Sequence, residues 1–461
     1  LSPNEDVLGS HRTAPKSRRR WFGAVERGVG LKSGGHLVLV IAAALCSTTL
    51  VTASLGFVFW ALAAHLTTPE VVGRSAAVIS AMEFIATFAT LGLHTLLMAE
   101  LPRRDGPSVK RLVVTSFGIA GCVAFAAATG FAFVHHVVDR AESMYATPIG
   151  VALFGIGVAV SAVTIVLDGA LVGVQQSRRQ VSRNLVFAVA KLIALPLAAL
   201  AIGLSPQVIF LVWLFGNLAS LLALALRTKA LPQWLKTAPS IRGFAPIWRT
   251  AAGHHWVNVA TQAPRLALPV MVAAQLSDEA NAGFYAALLM ITFIWIIPNH
   301  LGTAMFALHS GNPQHFRAGL DTALRLSAVI AVVAAVGGPI LARPLLSIFG
   351  PAYEDARYCF MALAICTFAG AIKSIYIAVR RAQGALSTAA RAAVLGAVLE
   401  LAAAQTGLKL GGVTGIGIAL GAATVVEAGF FWPAILKARR QSDETADRDL
   451  PSDLGRQSNR A

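Results

Sequence analysis

Apolar runs of 18 or more residues recur along all 461 residues of this chain, separated by short polar segments rich in Arg and Lys. A run of that length crosses the hydrocarbon core of a bilayer as a helix. In lipid the backbone must satisfy its own hydrogen bonds, which leaves helical bundles and closed barrels as the folds available. Twelve spans can be read, near 37–64, 74–99, 112–137, 149–174, 184–203, 207–226, 256–276, 283–308, 323–342, 357–379, 391–407 and 413–436. Hydrophobic residues at 56% against 13% charged, with a mean hydropathy of +0.67, exclude an ordinary soluble domain. The net charge of +16 invites a nucleic-acid partner, but the cations lie between spans rather than on a folded basic domain. With the N-terminus inside, 30 of the 38 Lys and Arg fall on the cytoplasmic side, 5 outside and 3 within spans. That bias is the positive-inside pattern, so the expectation is a multi-pass plasma-membrane protein with both termini cytoplasmic and no nucleic acid bound.

The chain also repeats itself. Leu66, Gly73, Ala76 and Ala77 match Leu276, Gly283, Ala286 and Ala287 at an offset of 210, and Leu91-Gly92 matches Leu301-Gly302. A second echo, at 208, relates Gln175 to Gln383 and Arg183 to Arg391. Two echoes at nearly one offset indicate a duplicated half of six spans. Six is even, so the halves are parallel and related by an axis along the membrane normal. The division expected is a basic segment 1–36 without a signal-peptide core, spans 37–226, a cytoplasmic linker 227–255, spans 256–436 and a polar tail 437–461. The linker, with Trp234 and Trp248, reads as a partly amphipathic stretch at the interface.

Cys46, Cys122, Cys359 and Cys366 all fall inside apolar runs with no metal-ligand spacing, so they read as small packing residues. No phosphate-binding loop, zinc-protease or nucleophile-elbow motif is present, and no cofactor is implied. The outer loops are short, which leaves little chain for an external sugar-binding domain of a glycosyltransferase.

Ionisable residues within spans are costly and therefore candidates for function. Asp168 and Lys191 sit at similar depths on the fourth and fifth spans, and Lys373 and Glu400 on the tenth and eleventh with the signs exchanged. Each pair reads as an ion pair closing its own half. Glu83 is mid-span, and the repeat places Phe293 at its counterpart, so it is a candidate for ion coupling. Arg265 lies between Pro264 and Pro269, which suggests a helix broken at a cavity. Pro298-Asn299-His300 is a further interruption, and Asn299 and His300 join Arg265 as candidate substrate-binding residues. Glu427 has no evident partner.

Twelve spans in two parallel halves resemble the multidrug/oligosaccharidyl-lipid/polysaccharide (MOP) flippase superfamily. The stretch from Gly56-Phe57-Val58-Phe59-Trp60 through Leu66–Gly73 to Leu91-Gly92-Leu93, with Ala286–Pro298, resembles its polysaccharide-transporter branch. The resemblance implies an all-α fold of two six-helix lobes around a cavity lined by the first, second, seventh and eighth spans. It implies alternating access and a polyprenyl-diphosphate-linked oligosaccharide as cargo, with glycosyltransferases and a polymerase as pathway partners beside membrane lipid. For that cargo Arg265 would hold the diphosphate, because it has no acid at matching depth in its own half. Drug antiporters of the superfamily often carry an acid in the first or seventh span, and 37–64 and 256–276 contain no Asp or Glu. A multidrug antiporter, a lipid II flippase and, in a different class, a membrane-embedded acyl- or glycosyltransferase stay open as alternatives.

Overall fold

The computed structural model describes residues 34–104, 106–138, 145–228, 237–240, 248–309 and 313–448. Every regular element among them is helical. The first half holds α1 (Gly34–Leu66), α2 (Pro69–Ala89), α3 (Leu93–Glu100), α4 (Pro107–Val138), α5 (Pro148–Gly173), α6 (Ser177–Ile202) and α7 (Pro206–Thr228). The second holds α8 (Trp248–Gln275), α9 (Asp278–His309), α10 (Pro313–Leu346), α11 (Arg357–Ile365), α12 (Thr367–Ala382) and α13 (Leu386–Arg448). Five of these helices begin on proline, whose missing N–H is no loss in the first turn. Caps reinforce the starts: Thr147 Oγ1 accepts from Gly150 N–H at 3.0 Å, and Ser277 Oγ from Ala280 N–H at 3.0 Å.

Nine of the described helices are long and apolar enough to cross a membrane, and Pro351–Ile365 with Thr367–Ala382 forms a tenth crossing bent by 50°. The 63-residue α13 is two arms joined at Gly411 and Gly412, where the backbone leaves helical angles. Counting both arms, and the 28-residue α8, gives twelve crossings. At 1.5 Å per residue α8 has ample length to span, although Arg265 and its polar neighbours lower its hydropathy. The fold is an all-α membrane bundle of two six-crossing halves.

Three details depart from the sequence reading. The second span is not one helix over 74–99: α2 stops at Ala89, Leu91 and Gly92 take positive φ of 50° and 75°, and α3 resumes at Leu93. Gly92 takes the second of these left-handed positions without steric cost, which leaves only Leu91 to bear it. The expected break at Pro264 and Pro269 is absent, since α8 runs through both. Pro298 likewise lies inside a continuous α9. Each proline removes one backbone hydrogen bond, a loss that a helix packed among other helices tolerates. Of the interlobe linker, 229–236 and 241–247 lie outside the described residues, as do 1–33 and 449–461; from Trp248 the linker is already part of α8.

The halves meet chiefly through α1 and α2 against α8, α9 and α10. The repeated loops touch each other at this seam. Gly73 on α2 packs so closely on the start of α9 that a Cβ there would collide with the Asp278 carbonyl. Asn281, fully buried, donates from Nδ2 to the Gly73 carbonyl at 2.7 Å, and Arg74 Nε lies 3.9 Å from Asp278 Oδ2. The end of the bundle where 66–73 meets 277–282 is therefore shut.

Candidate functional site

Among the described residues, two cavities adjoin Arg265. The larger, about 490 Å³, is built within the second half. Its wall takes Thr261, Gln262 and Arg265 from α8, Trp295 and Asn299 from α9, Lys373, Ser374 and Arg381 from α12, and Glu400 from α13. The smaller, about 300 Å³, lies between the halves, lined by Ser80 and Glu83 of α2, Phe187 of α6, Trp213 of α7 and Tyr285 of α9. Arg265 and Leu288 line both. Pro264 and Leu268 turn the same face of α8 to the larger cavity, so the guanidinium stands on the wall between the two spaces.

Arg265 is exposed to this space, and its Nε donates to Gln262 Oε1 at 3.4 Å. Glu83 shares the smaller cavity with it. No contact of ion-pair length joins Glu83 to a cation among the described residues. Asn299 accepts from Ser374 Oγ at 2.5 Å and faces the larger cavity. His300 turns the other way: its Nε2 is hydrogen-bonded to Thr49 Oγ1 at 2.8 Å, tying α9 to α1. It lines neither cavity, so its proposed contact with substrate has no support in the geometry.

The buried charges pair differently in the two halves. Lys373 Nζ lies 2.8 Å from Glu400 Oε1 and 3.0 Å from Glu427 Oε2, so one ammonium serves two carboxylates. Glu427, 3% exposed and left unassigned by the sequence, is thus the third member of this cluster. The expected Asp168–Lys191 pair is not formed. Asp168 is held by Arg183, through Nε to Oδ1 at 3.0 Å and Nη2 to Oδ2 at 2.9 Å, with Asn184 Nδ2 adding a bond of 3.3 Å. This fork-to-carboxylate geometry suits Arg better than Lys. The reason for the misreading is the helix start: α6 begins at Ser177, so Arg183 is already within the helix and opposite Asp168. Lys191, two turns deeper, instead sits over the rings of Trp213, Phe187 and Phe59, with Nζ 3.5, 4.5 and 4.7 Å from their centroids. Such a box of ring faces stabilises a desolvated ammonium through the ring quadrupoles.

Arg381 is the site residue that sequence reasoning missed. It reads as a loop cation after the tenth span, yet α12 extends to Ala382 and turns Lys373, Ile377 and Arg381 to the larger cavity. The spacing of four residues, one helical face, was the available signal.

Solved transporters share this architecture. An inward-facing multidrug resistance MATE family transporter of the MOP superfamily matches with a TM-score of 0.71 at 14% identity, over 90% of this chain and 100% of that one. A point variant of the MATE transporter VcmN from Vibrio cholerae matches at 0.58 and 14%, over 88% and 97%. A MOP superfamily transporter from Pyrococcus furiosus, described as having a binding pocket of reversed polarity, matches at 0.61 and 12%, over 89% and 96%. No family model and no curated protein matches the sequence. The fold class is therefore that of the MATE transporters of the MOP superfamily.

Proposed function

We propose that this chain is a membrane transporter that moves a polyprenyl-diphosphate-linked oligosaccharide from the inner to the outer leaflet by alternating access. The observation that carries the cargo class is the charge of the larger cavity: Arg265, Lys373 and Arg381 line it against Glu400 alone. Even with Glu427 counted behind Lys373, the balance stays positive. An anionic diphosphate that must cross hydrocarbon needs such a cationic path, and a guanidinium offers two donors to two phosphate oxygens. In this reading the diphosphate enters past Arg381 and reaches Arg265 on the wall shared with the interlobe cavity. Lobes 37–226 and 256–436 then rock about the site. Opening the far side requires breaking the Asn281–Gly73 bond and the Arg74–Asp278 pair. The partly exposed pair contributes about 0–1 kcal/mol, so most of the closure rests on the buried Asn281 bond, which costs about 1–3 kcal/mol to leave unmade. Glu83 would sense the coupling ion beside Arg265. Both termini would lie in the cytoplasm, and glycosyltransferases and a polymerase would act before and after the transporter.

A second reading, an ion-coupled multidrug antiporter, is favoured by the name of the multidrug resistance neighbour and by Glu83 among Trp213 and Tyr285, a setting that suits an organic cation. Proteoliposomes separate the two. The flippase reading expects protein-dependent movement of an unmodified polyprenyl-diphosphate glycan and no ethidium transport. Ethidium efflux without glycan movement would replace it with the antiporter, and a change in the mass of the glycan lipid would indicate an enzyme.

A further inference from the structure

A third cavity, about 150 Å³, lies in the first half between the start of α6 and the end of α7. Arg178, Arg179, Arg183 and Arg227 converge on it with the hydroxyls of Ser182 and Ser220. Arg183 is 5% exposed and forms the floor, fixed by its fork on Asp168 and by Nη1 donating to Ser220 Oγ at 3.2 Å. Arg227 is held over the opening by Nη1 donating to Ser182 Oγ at 2.6 Å, and Arg179 by Nη1 donating to Gln176 Oε1 at 2.8 Å. Asp168 is the one acid in the cluster, and Arg183 already occupies both its oxygens. Among the described residues, Arg178, Arg179 and Arg227 have no carboxylate partner.

Arginines at the ends of spans are ordinary, so the duplication serves as an internal control. At the 208 offset Arg183 keeps its counterpart, Arg391, but Arg178, Arg179 and Arg227 fall on Leu386, Ser387 and Ile435. Ser182 and Ser220 fall on Ala390 and Ala428. The fold is built in the second half without this cluster, so neither packing nor topology demands it. The same two helices present Leu185, Val189, Leu222 and Leu226 exposed on their outer surface beside the cavity, an apolar flank of the kind acyl chains cover.

We infer that this arginine cavity binds the phosphate headgroup of an anionic phospholipid, with the acyl chains lying along α6 and α7. Planar guanidinium groups match phosphate oxygens in pairs, and the serines supply further donors. The assignment is independent of what the central cavities carry.

The test uses the full chain purified in neutral detergent and titrated with phosphatidylglycerol, phosphatidylcholine or inorganic phosphate, with bound lipid read by native mass spectrometry. Phosphatidylglycerol should bind in preference to phosphatidylcholine, and inorganic phosphate should not displace it. Arg178→Gln/Arg179→Gln, at exposed positions, should weaken phosphatidylglycerol by roughly thirtyfold, on the scale of polybasic contacts with anionic lipid. Arg227→Gln should weaken it in the same direction, and Arg391→Gln in the other half should not. Equal binding of the two lipids, or unchanged affinity in Arg227→Gln and in the double variant, overturns the assignment. Displacement by inorganic phosphate would make this a free-anion site and overturn the lipid.

Discussion

The two halves of the molecule handle buried charge in opposite ways. In the first, the two buried cations each have a dedicated protein partner: Arg183 is forked on Asp168 and Lys191 sits among three aromatic rings. In the second, Lys373 and Glu400 open onto a cavity of about 490 Å³, with Glu427 behind them. The duplication did not impose either arrangement. At the 208 offset Asp168 meets Tyr376, Lys191 meets Leu399, and Lys373, Glu400 and Glu427 meet Ile165, Leu192 and Ala219. The backbone plan was kept while the charges were placed anew in each half, and those of the second half line the larger cavity.

Substitutions can break or sharpen this contrast. The largest effect is expected at Lys373→Met, which leaves two buried carboxylates without their cation. Losing one partner of a buried pair costs about 3–5 kcal/mol. The unfolding midpoint in detergent should fall steeply and should recover when Glu400→Gln and Glu427→Gln are added. Asp168→Ala should cost nearly as much, because it leaves Arg183 desolvated at 5% exposure, and Asp168→Asn should recover part of the loss. The two first-half cations should then differ from each other. Lys191→Met orphans no close carboxylate and keeps the volume within the ring box. The lost cation–π contacts, about 2 kcal/mol for a desolvated ammonium, are offset by removing the cost of burying the charge. The loss should therefore stay well below that of Lys373→Met. A steep loss there would mean that Lys191 supports Glu83 across the interlobe cavity.

A functional comparison follows from the seam. Arg74→Cys/Asp278→Cys, joined by an oxidant or a short crosslinker, should lock 66–73 to 277–282 and stop transport, and reduction should restore it. Undiminished flux with a verified crosslink would argue against rocking lobes.

Much of the fold was legible because the bilayer dictates span length, and the twelve segments read from apolar runs correspond to the helical crossings. What escaped were matters of depth and facing. Arg183 reads as a loop residue until the start of α6 at Ser177 is known, and Arg381 until the end of α12 at Ala382 is known. One or two helical turns decide whether an arginine meets water, a carboxylate or a cavity. Glu427 could not be paired from sequence, because its partner lies 54 residues away, on the far side of two chain reversals. The Leu91–Gly92 break was hidden inside an apolar run, where hydropathy carries no trace of a left-handed residue.

The central claim is that Arg265 holds the diphosphate of the cargo at the wall between the two cavities. Its rival is a structural bridge to Glu83 across the halves. Flipping of a polyprenyl-diphosphate glycan in proteoliposomes, measured for Arg265→Ala, Arg265→Lys and Glu83→Ala/Arg265→Ala beside wild type, separates them. Cargo binding by Arg265 predicts no flipping in Arg265→Ala, partial flipping in Arg265→Lys and no recovery in the double variant. A double variant that flips cargo as fast as wild type would contradict it.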